Sequence, residues 1–123
     1  MDSALVRGHS RVIALFGDPV AHSISPLIHN HAFSHLSLPF IYIPLQVKRD
    51  AIHVAAHSLR SLGIIGANVT LPHKKAFLPY CDRISDVSRR MGVVNTLYFE
   101  KGLLCGTTTD PQGCSAGSRG SRR

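Results

Sequence analysis

The sequence predicts an α/β domain of three layers, in which helices cover both faces of an open, mostly parallel sheet with one antiparallel strand. Short apolar runs alternate along the chain with segments of helical periodicity, which is typical of strand and helix units. The last two apolar runs are joined only by Glu100-Lys101-Gly102, a hairpin-like turn with glycine where a positive φ is needed, so this pair is predicted to be antiparallel. The length of 123 residues and the apolar content of 44% suit one domain with its own core.

The predicted strands are bounded by residues that break regular structure. The first apolar run ends at Gly17-Asp18-Pro19, and the second follows Pro39 and is rich in β-forming residues. The third run ends on the polar residues Asn68 and Thr70. The five predicted strands are 12–16, 40–47, 64–69, 93–99 and 103–107.

Helical segments lie between these strands. Ser25 followed by Pro26 marks the start of the first helix, because serine can cap free amides and proline fits the first helical turn. The second helix has apolar residues at three- and four-residue spacing from Ile52 to Leu62, and Gly63 ends it. The predicted helical segments are 25–35, 50–62, 72–80 and 85–91, the last closed by Gly92.

The formal net charge of +7 is unevenly placed, since Arg119, Arg122 and Arg123 supply three of the charges. We therefore predict one domain over residues 1–113 and a disordered Gly/Ser/Arg tail over residues 114–123. The tail suggests one alternative function, a basic interaction module that binds nucleic acid or phospholipid. The other basic residues are scattered and form no stripe with aromatic residues, so nucleic acid is not the expected partner, and the basic surface suits a small anionic molecule equally well.

The chain is predicted to be a cytoplasmic protein with no membrane partner. Its apolar runs are far shorter than the roughly 20 residues that span a membrane, and the first residues lack the apolar stretch of a secretory signal. Cys81, Cys105 and Cys114 form no C-x-x-C pattern, so we expect reduced thiols. No metal is expected, because His31 and His35 have no third ligand near them in sequence.

Four polar motifs follow one another along the chain, each where an apolar segment ends. They are G-D-P-V-A-H-S-I-S-P (17–26), G-A-N-V-T-L-P-H-K-K (66–75), V-V-N-T-L (93–97) and C-G-T-T-T-D (105–110). Strand ends of an open parallel sheet are where ligands bind in α/β proteins. The motifs therefore mark a candidate site for a polyhydroxylated acid.

The first three motifs offer hydrogen-bonding groups. Ser23 and Ser25 could converge with the free amides of a helix on a carboxylate; the alternative is that Ser25 caps the helix and Ser23 supports the turn. Asn68 and Thr70 point in the same direction from a strand end and could bind hydroxyls. Asn95 stands in an apolar context, so its amide must bond either a neighbouring loop or a ligand.

Lys74 and Asp110 could form an acid/base pair. A lysine in a partly enclosed cleft can exchange a proton with a substrate hydroxyl, and a nearby carboxylate would orient it, as a reversible alcohol–ketone reaction requires. The alternatives are that Lys74 is a solvated surface charge and that Asp110-Pro111 is an ordinary turn.

In order and spacing, the four motifs resemble the substrate-binding half of shikimate dehydrogenase, over roughly residues 12–113. The resemblance implies reduction of 3-dehydroshikimate to shikimate with NADPH, in the biosynthesis of chorismate and aromatic amino acids. It implies that Lys74 and Asp110 are the catalytic pair. The residues that it implies for substrate binding are Ser23, Ser25, Asn68, Thr70, Lys74, Asn95 and Asp110.

The sequence also departs from this family. Thr108 and Pro111 replace the first and last members of the usual Asn-Thr-Asp-Gly, and Pro111 fixes φ where the family's chain turns to its second domain. The segment 113–120 cannot replace a dinucleotide-binding loop, because no apolar strand precedes it. We therefore expect no NADP to bind this chain alone, and a truncated or frameshifted chain that is inactive by itself.

Two alternatives keep a substrate site of this class. The chain could be the shikimate- or quinate-binding half of a two-chain dehydrogenase, whose partner is a separate dinucleotide-binding domain. It could also form a homodimer. The two-serine motif favours shikimate and leaves quinate open.

Overall fold

The structure is a computed structural model, and it describes residues 6–109. The Asp110 prediction, the predicted tail at residues 114–123 and Cys114 lie outside this range. The elements, in chain order, are β1 (Arg11–Gly17), α1 (Ser25–His35), β2 (Phe40–Gln46), α2 (Ile52–Ser61), β3 (Gly66–Val69), β4 (Arg83–Ile84), α3 (Asp86–Met91), β5 (Thr96–Glu100) and β6 (Leu103–Thr107), with short 3₁₀ helices at Arg49–Ala51 and Leu78–Tyr80.

The six strands form one sheet in the order β2-β1-β3-β5-β6-β4. β1 pairs in parallel with β2 and β3, and β6 pairs in parallel with β4, whereas β5 runs antiparallel to both of its neighbours. The turn into β6 contains Gly102 at φ 79°, the left-handed conformation that glycine adopts without steric cost. The predicted mostly parallel sheet with one antiparallel strand is confirmed.

The two faces of the sheet are covered differently. Ala14 and Phe16 of β1 point to the face covered by α2, where they join the larger core cluster. Leu15 lies between them in sequence and points to the face of α1, where it packs with Val20 and Tyr42. The helices therefore lie on opposite faces, and the three-layer arrangement is confirmed. The buried residues of the larger cluster are Ala14, Phe16, Val47, Ile52, Ala55, Ala56, Leu59, Ile64, Ala67, Val69, Phe77, Val94, Leu97 and Leu104.

The helical periodicity from Ile52 to Leu62 corresponds to α2, which buries Ile52, Ala55, Ala56 and Leu59 against the sheet. By contrast α1 has no buried residue, and its apolar Leu27 is 74% exposed. The burial pattern explains why α2 was the clearer helix in the sequence. A helix that packs against a core on one side carries the apolar period, and α1 makes too few core contacts to impose one.

The prediction of a helix over residues 72–80 is wrong. This segment is a series of turns, and only Leu78–Tyr80 forms a 3₁₀ helix. The amides of His73 and Ala76 bond to the carbonyls three residues earlier, at 3.0 Å each, so the chain follows turn geometry and not α-helical geometry. The sequence also gave no signal for β4, a strand of two residues.

A serine stands at or beside the start of two helices, and it caps only one of them. Ser85 caps α3 as a serine should: its Oγ accepts a hydrogen bond from the amide of Ser88 at 3.2 Å. For α1, the predicted cap by Ser25 is wrong, because Ile24 occupies the cap position and its side chain makes no capping bond. Over residues 6–109, no helix is long and apolar enough to cross a membrane.

Candidate functional site

The four motifs meet at one edge of the sheet, where β1, β2, β3 and β6 end and the antiparallel β5 begins. Backbone hydrogen bonds join them directly. The Asp18 amide donates to the Leu71 carbonyl at 3.3 Å, which links the first and second motifs. The Val69 amide donates to Asn95 at 2.8 Å, and the Asn95 amide donates to Thr107 at 2.9 Å, which links the second, third and fourth. The polar residues around these bonds are therefore held in one place.

Asn68 is the centre of a hydrogen-bonded chain on the α1 face of the sheet. Its Oδ1 accepts from the hydroxyl of Tyr42 at 2.8 Å. Its Nδ2 lies 3.4 Å from both the Asn95 carbonyl and the Thr96 hydroxyl. Because side chains alternate along a strand, Thr70 leaves β3 toward the same side as Asn68. The predicted common direction of these two residues fits this register.

Asn95 uses its side chain to hold the last motif. Its Oδ1 accepts from the Thr109 amide at 3.1 Å and from the Thr96 hydroxyl at 2.8 Å, and its Nδ2 donates to the Thr109 hydroxyl at 3.2 Å. Of the two possibilities for this amide, bonding to a neighbouring loop is what the structure shows. That loop leads directly to residue 110.

Thr70 packs against the first motif with no space between them. A Cβ added at Gly17 would lie 2.3 Å from Thr70 Cγ2 and 3.0 Å from Val20 Cγ1. Glycine at position 17 is therefore required by the close approach of the loops after β1 and β3. This glycine was singled out in sequence only as a strand terminator, and the structure assigns it a second role.

Lys74 lies in the turn that follows β3, half-buried, and not at a helix start as predicted. Its carbonyl accepts from the Val94 amide at 2.8 Å. The preceding residue, His73, is only 3% exposed, and its ring Nε2 bonds to the Val47 carbonyl at the end of β2. A carbonyl can only accept, so Nε2 carries the hydrogen. The backbone of Lys74 is thus fixed on both sides.

Sequence reasoning missed His73 because a histidine beside two lysines is easily taken for part of a solvated charged run. Val47, its partner, is 26 residues away in sequence and was assigned only to a strand. The signal that could have found His73 is its place between Pro72 and Lys74, inside a motif already selected for other reasons.

The two serines lie at the start of α1. The Oγ of Ser23 accepts a hydrogen bond from the amide of Ser25 at 3.2 Å. Ser25, which was expected to cap amides of the helix, therefore has its own amide bonded by Ser23. Ser25 is half-buried as the first residue of α1, and its hydroxyl makes no hydrogen bond to another residue within 6–109. This helix is tied to the centre of the site through Asn30, whose side chain bonds both backbone groups of Tyr42.

Among the cavities beside the sheet, two bear on the position of the site. A groove of about 340 Å³ runs along the α1 face and is lined by Phe33, Tyr42, Asn68 and Thr96, among others. A larger one of about 400 Å³ lies at the opposite edge of the sheet, beside Arg60. That arginine is already engaged, since it bonds the Gly102 carbonyl at 2.7 Å and Asp82 at 3.2 Å and lies over the ring of Phe99. The candidate site therefore lies with the motifs and not in the larger cavity.

The turn between β1 and α1 does not have the composition of a dinucleotide-binding loop. Binding of a pyrophosphate after the first strand of an α/β unit requires several glycines in the turn before the helix. Residues 18–24, between β1 and α1, contain no glycine, and the space at Gly17, the last residue of β1, is filled by Thr70 and Val20. Within residues 6–109 there is also no group of three or more His, Cys, Asp or Glu side chains that could hold a metal ion.

Comparison with known proteins agrees with these motifs. The model of the shikimate dehydrogenase substrate-binding domain family matches residues 15–97. The chain belongs to this family. It is 43% identical over 110 residues to the NADP-dependent shikimate dehydrogenase of Methanothermobacter thermautotrophicus, a match that covers 89% of this chain and 39% of that protein.

Solved structures of the family have the same fold. A shikimate dehydrogenase in complex with NADP⁺ superposes with a TM-score of 0.85 at 34% identity, covering 98% of this chain and 42% of the other. The Listeria monocytogenes shikimate 5-dehydrogenase, in complex with shikimate and NAD, superposes with a TM-score of 0.84 at 30% identity, covering 96% and 41%. The chain thus spans about two fifths of the length of these relatives.

Proposed function

We propose that the carboxyl edge of this sheet binds shikimate or 3-dehydroshikimate, and that the domain serves an NADP-dependent dehydrogenase as its substrate-binding part. One observation carries the proposal: the four motifs are joined at one edge of the sheet by direct backbone hydrogen bonds, from Asp18 to Leu71 and from Val69 through Asn95 to Thr107. The structure of one relative with the same fold was solved in complex with shikimate and NAD.

The proposed roles follow from the chemistry of each group. Ser23 and Ser25, at the start of α1, would hold the carboxylate, because a helix start favours negative charge. Asn68 and Thr70 would bind ring hydroxyls from β3 and the residue after it. Asn95 would act mainly by holding the loop at Thr109 that leads to Asp110. A polyhydroxylated acid needs such a mixture of donors and acceptors around one small ring.

Lys74 is proposed to move the proton that accompanies hydride transfer, with Asp110 as its partner. The fixed backbone of Lys74, held by the bonds of His73 to Val47 and of Val94 to Lys74, supports this assignment. A proton donor must be placed within hydrogen-bond reach of the reacting oxygen, and a fixed backbone limits where its side chain can go.

Nicotinamide supplies the hydride in this reaction, and we propose that a part of the enzyme other than residues 6–109 binds it. The lack of glycine between β1 and α1 and the filled surroundings of Gly17 support this division. By the same argument, the 123-residue chain is expected to bind substrate and to catalyse no reduction when it is assayed alone. Titration with NADPH, followed by its fluorescence, and a coupled reduction assay check both expectations.

The direct test of the proposed site is calorimetric titration of the chain with shikimate and with quinate. Shikimate is expected to bind, and Lys74→Ala and Asn68→Ala are expected to weaken it by about tenfold each, the loss typical of one buried hydrogen bond to a ligand. Lys101→Ala is the matched control, because Lys101 is exposed in the turn before β6, at the opposite edge. Equal affinities of the Lys74 and Lys101 variants would contradict the proposal.

A further inference from the structure

We propose that Tyr42 is a positioning residue that commits the side chain of Asn68 to donate, and not to accept, the hydrogen bond that it makes at the candidate site. This inference deepens the proposed function and rests on it. None of the four motifs contains Tyr42, which belongs to β2. It acts through Asn68, the residue to which its hydroxyl bonds at 2.8 Å.

The surroundings of Asn68 fix which way its amide is turned. One terminal atom lies 3.4 Å from the carbonyl of Asn95, and a carbonyl can only accept a hydrogen bond, so that atom is Nδ2. The other terminal atom is then Oδ1, which faces the hydroxyl of Tyr42. An oxygen that accepts needs a donor opposite, and the tyrosine hydroxyl supplies it. If the Asn68 amide were flipped, its Oδ1 would face the Asn95 carbonyl, and two acceptors would meet with no hydrogen between them.

Tyr42 is itself held so that its hydroxyl stays in place. The side chain of Asn30 donates to the Tyr42 carbonyl at 2.9 Å and accepts from the Tyr42 amide at 2.7 Å. The ring of His29 stacks on the tyrosine ring at 4.4 Å between centroids. Tyr42 is 3% exposed, and burial raises the pKa of its phenol to about 12, so the hydroxyl remains a donor at neutral pH. Two neighbouring residues of α1 therefore fix the group that orients Asn68.

The bonds of Asn68 differ in length, and the difference tells which atom remains available. The bond from Tyr42 to Oδ1 is 2.8 Å, whereas both contacts of Nδ2 are 3.4 Å, beyond the usual range for an N–H donor. Nδ2 can therefore exchange a long contact for a shorter one to a ligand. The ligand group that faces Asn68 must then be an acceptor, such as a hydroxyl or carbonyl oxygen, and an ammonium group there would be rejected.

A double-mutant cycle tests the inference on the 123-residue chain. Tyr42→Phe removes one oxygen from a ring that stays packed, and we expect shikimate affinity to fall by about tenfold in calorimetry. In an Asn68→Ala background the same change should have no further effect, because Tyr42 acts only through Asn68. Tyr80→Phe is the control, since Tyr80 is 42% exposed outside the site. Equal losses with and without Asn68, or no loss at all, would overturn the proposal.

A second measurement separates this inference from the proposed function. The side-chain NH₂ signals of Asn68, observed by NMR without any ligand, should exchange slowly with water in the original chain and rapidly in Tyr42→Phe. Slow exchange in both would overturn the role of Tyr42, whatever the ligand. Failure of the original chain to bind shikimate, with the exchange difference present, would contradict the proposed function and leave the orientation of Asn68 supported.

Discussion

The two faces of the sheet are built from the same strands but contain different chemistry. On the α2 face, β3 contributes Ala67 and Val69 to a continuous apolar core. On the α1 face, the residue between them, Asn68, belongs to a hydrogen-bonded chain that includes Tyr42. One face is filled by side chains, and the other retains a groove of about 340 Å³.

The difference shows how a small domain can hold a polar site without losing its stability. Buried polar groups destabilise a fold unless each is hydrogen-bonded. Here the side chain of Asn68 contacts the Asn95 carbonyl and the Thr96 hydroxyl, and the side chain of Asn95 accepts from the Thr109 amide. The apolar core lies behind them and depends on none of these bonds. We therefore expect changes on the α2 face to alter stability, and changes on the α1 face to alter binding.

Truncation in the core should have the largest effect. Phe77 is fully buried and stacks on Phe16 with 5.4 Å between ring centroids, so Phe77→Ala should cost about 3–5 kcal/mol of unfolding free energy in urea. Leu27→Ala, on the exposed side of α1, should change it by less than about 0.5 kcal/mol. Similar costs for the two variants would show that the faces do not differ in the way described.

Filling the contact between the first two motifs should affect both stability and binding. In Gly17→Ala the new methyl group would overlap Thr70, and overpacking of this kind costs about 1–3 kcal/mol. Because Thr70 must move, shikimate affinity should fall as well. Gly8→Ala is the matched control, since a Cβ there meets nothing within 4 Å. A Gly17→Ala variant that binds shikimate unchanged would contradict the proposed role of Thr70.

Removal of the buried imidazole should act mainly on the turn that contains Lys74. His73→Leu leaves the Val47 carbonyl without its donor, at a cost of about 1–3 kcal/mol in urea unfolding, and should weaken shikimate binding in calorimetry. His57→Leu, an exposed change on α2, serves as the control. The role of His73 in placing Lys74 would be refuted by a loss of stability with no change in affinity.

Stability in alkaline solution is expected to depend on pH, with one contribution from each face of the sheet. Burial, together with the nearby charges of Asp82 and Cys105, raises the pKa of Cys81 from 9.0 to about 11. Burial raises the pKa of Tyr42 from 10.0 to about 12. The folded chain keeps these protons when the unfolded chain has released them, so stability is full below pH 9 and falls as the pH rises through 11 and 12.

Urea midpoints measured between pH 8 and pH 12 check this expectation. Cys81→Ala should remove the lower part of the decline, and Tyr42→Phe should remove the upper part. A midpoint that stays constant over this range, or rises, would contradict the assigned causes.

Most of the architecture could be predicted from local pattern. The apolar spacing from Ile52 to Leu62 predicted α2, and Glu100-Lys101-Gly102 predicted the antiparallel pair, because both signals lie within a few residues of the structure that they determine. The segment 72–80 was predicted wrongly for the opposite reason. Its turns are held by His73 to Val47 and by Lys74 to Val94, contacts that distant parts of the chain supply.

The residues of the candidate site were also predicted only in part from local pattern. Motif order selected Ser23, Ser25, Asn68, Thr70, Lys74 and Asn95, and these lie at one edge of the sheet or at the start of the helix that packs beside it. No pattern selected His73 and Tyr42, which hold the turn of Lys74 and the amide of Asn68. Each is an ordinary residue in its own segment and acts through a partner that is distant in sequence.

Local sequence patterns predicted most of the elements and the polar groups at their ends, because periodicity, turn residues and motifs act over short distances along the chain. How these groups are turned depends on contacts between elements. The direction of the Asn68 amide depends on Tyr42 and Asn95, which are 26 and 27 residues away, and the position of Lys74 depends on a carbonyl at the end of β2. Hydrogen bonds of this kind exist only after the strands have paired.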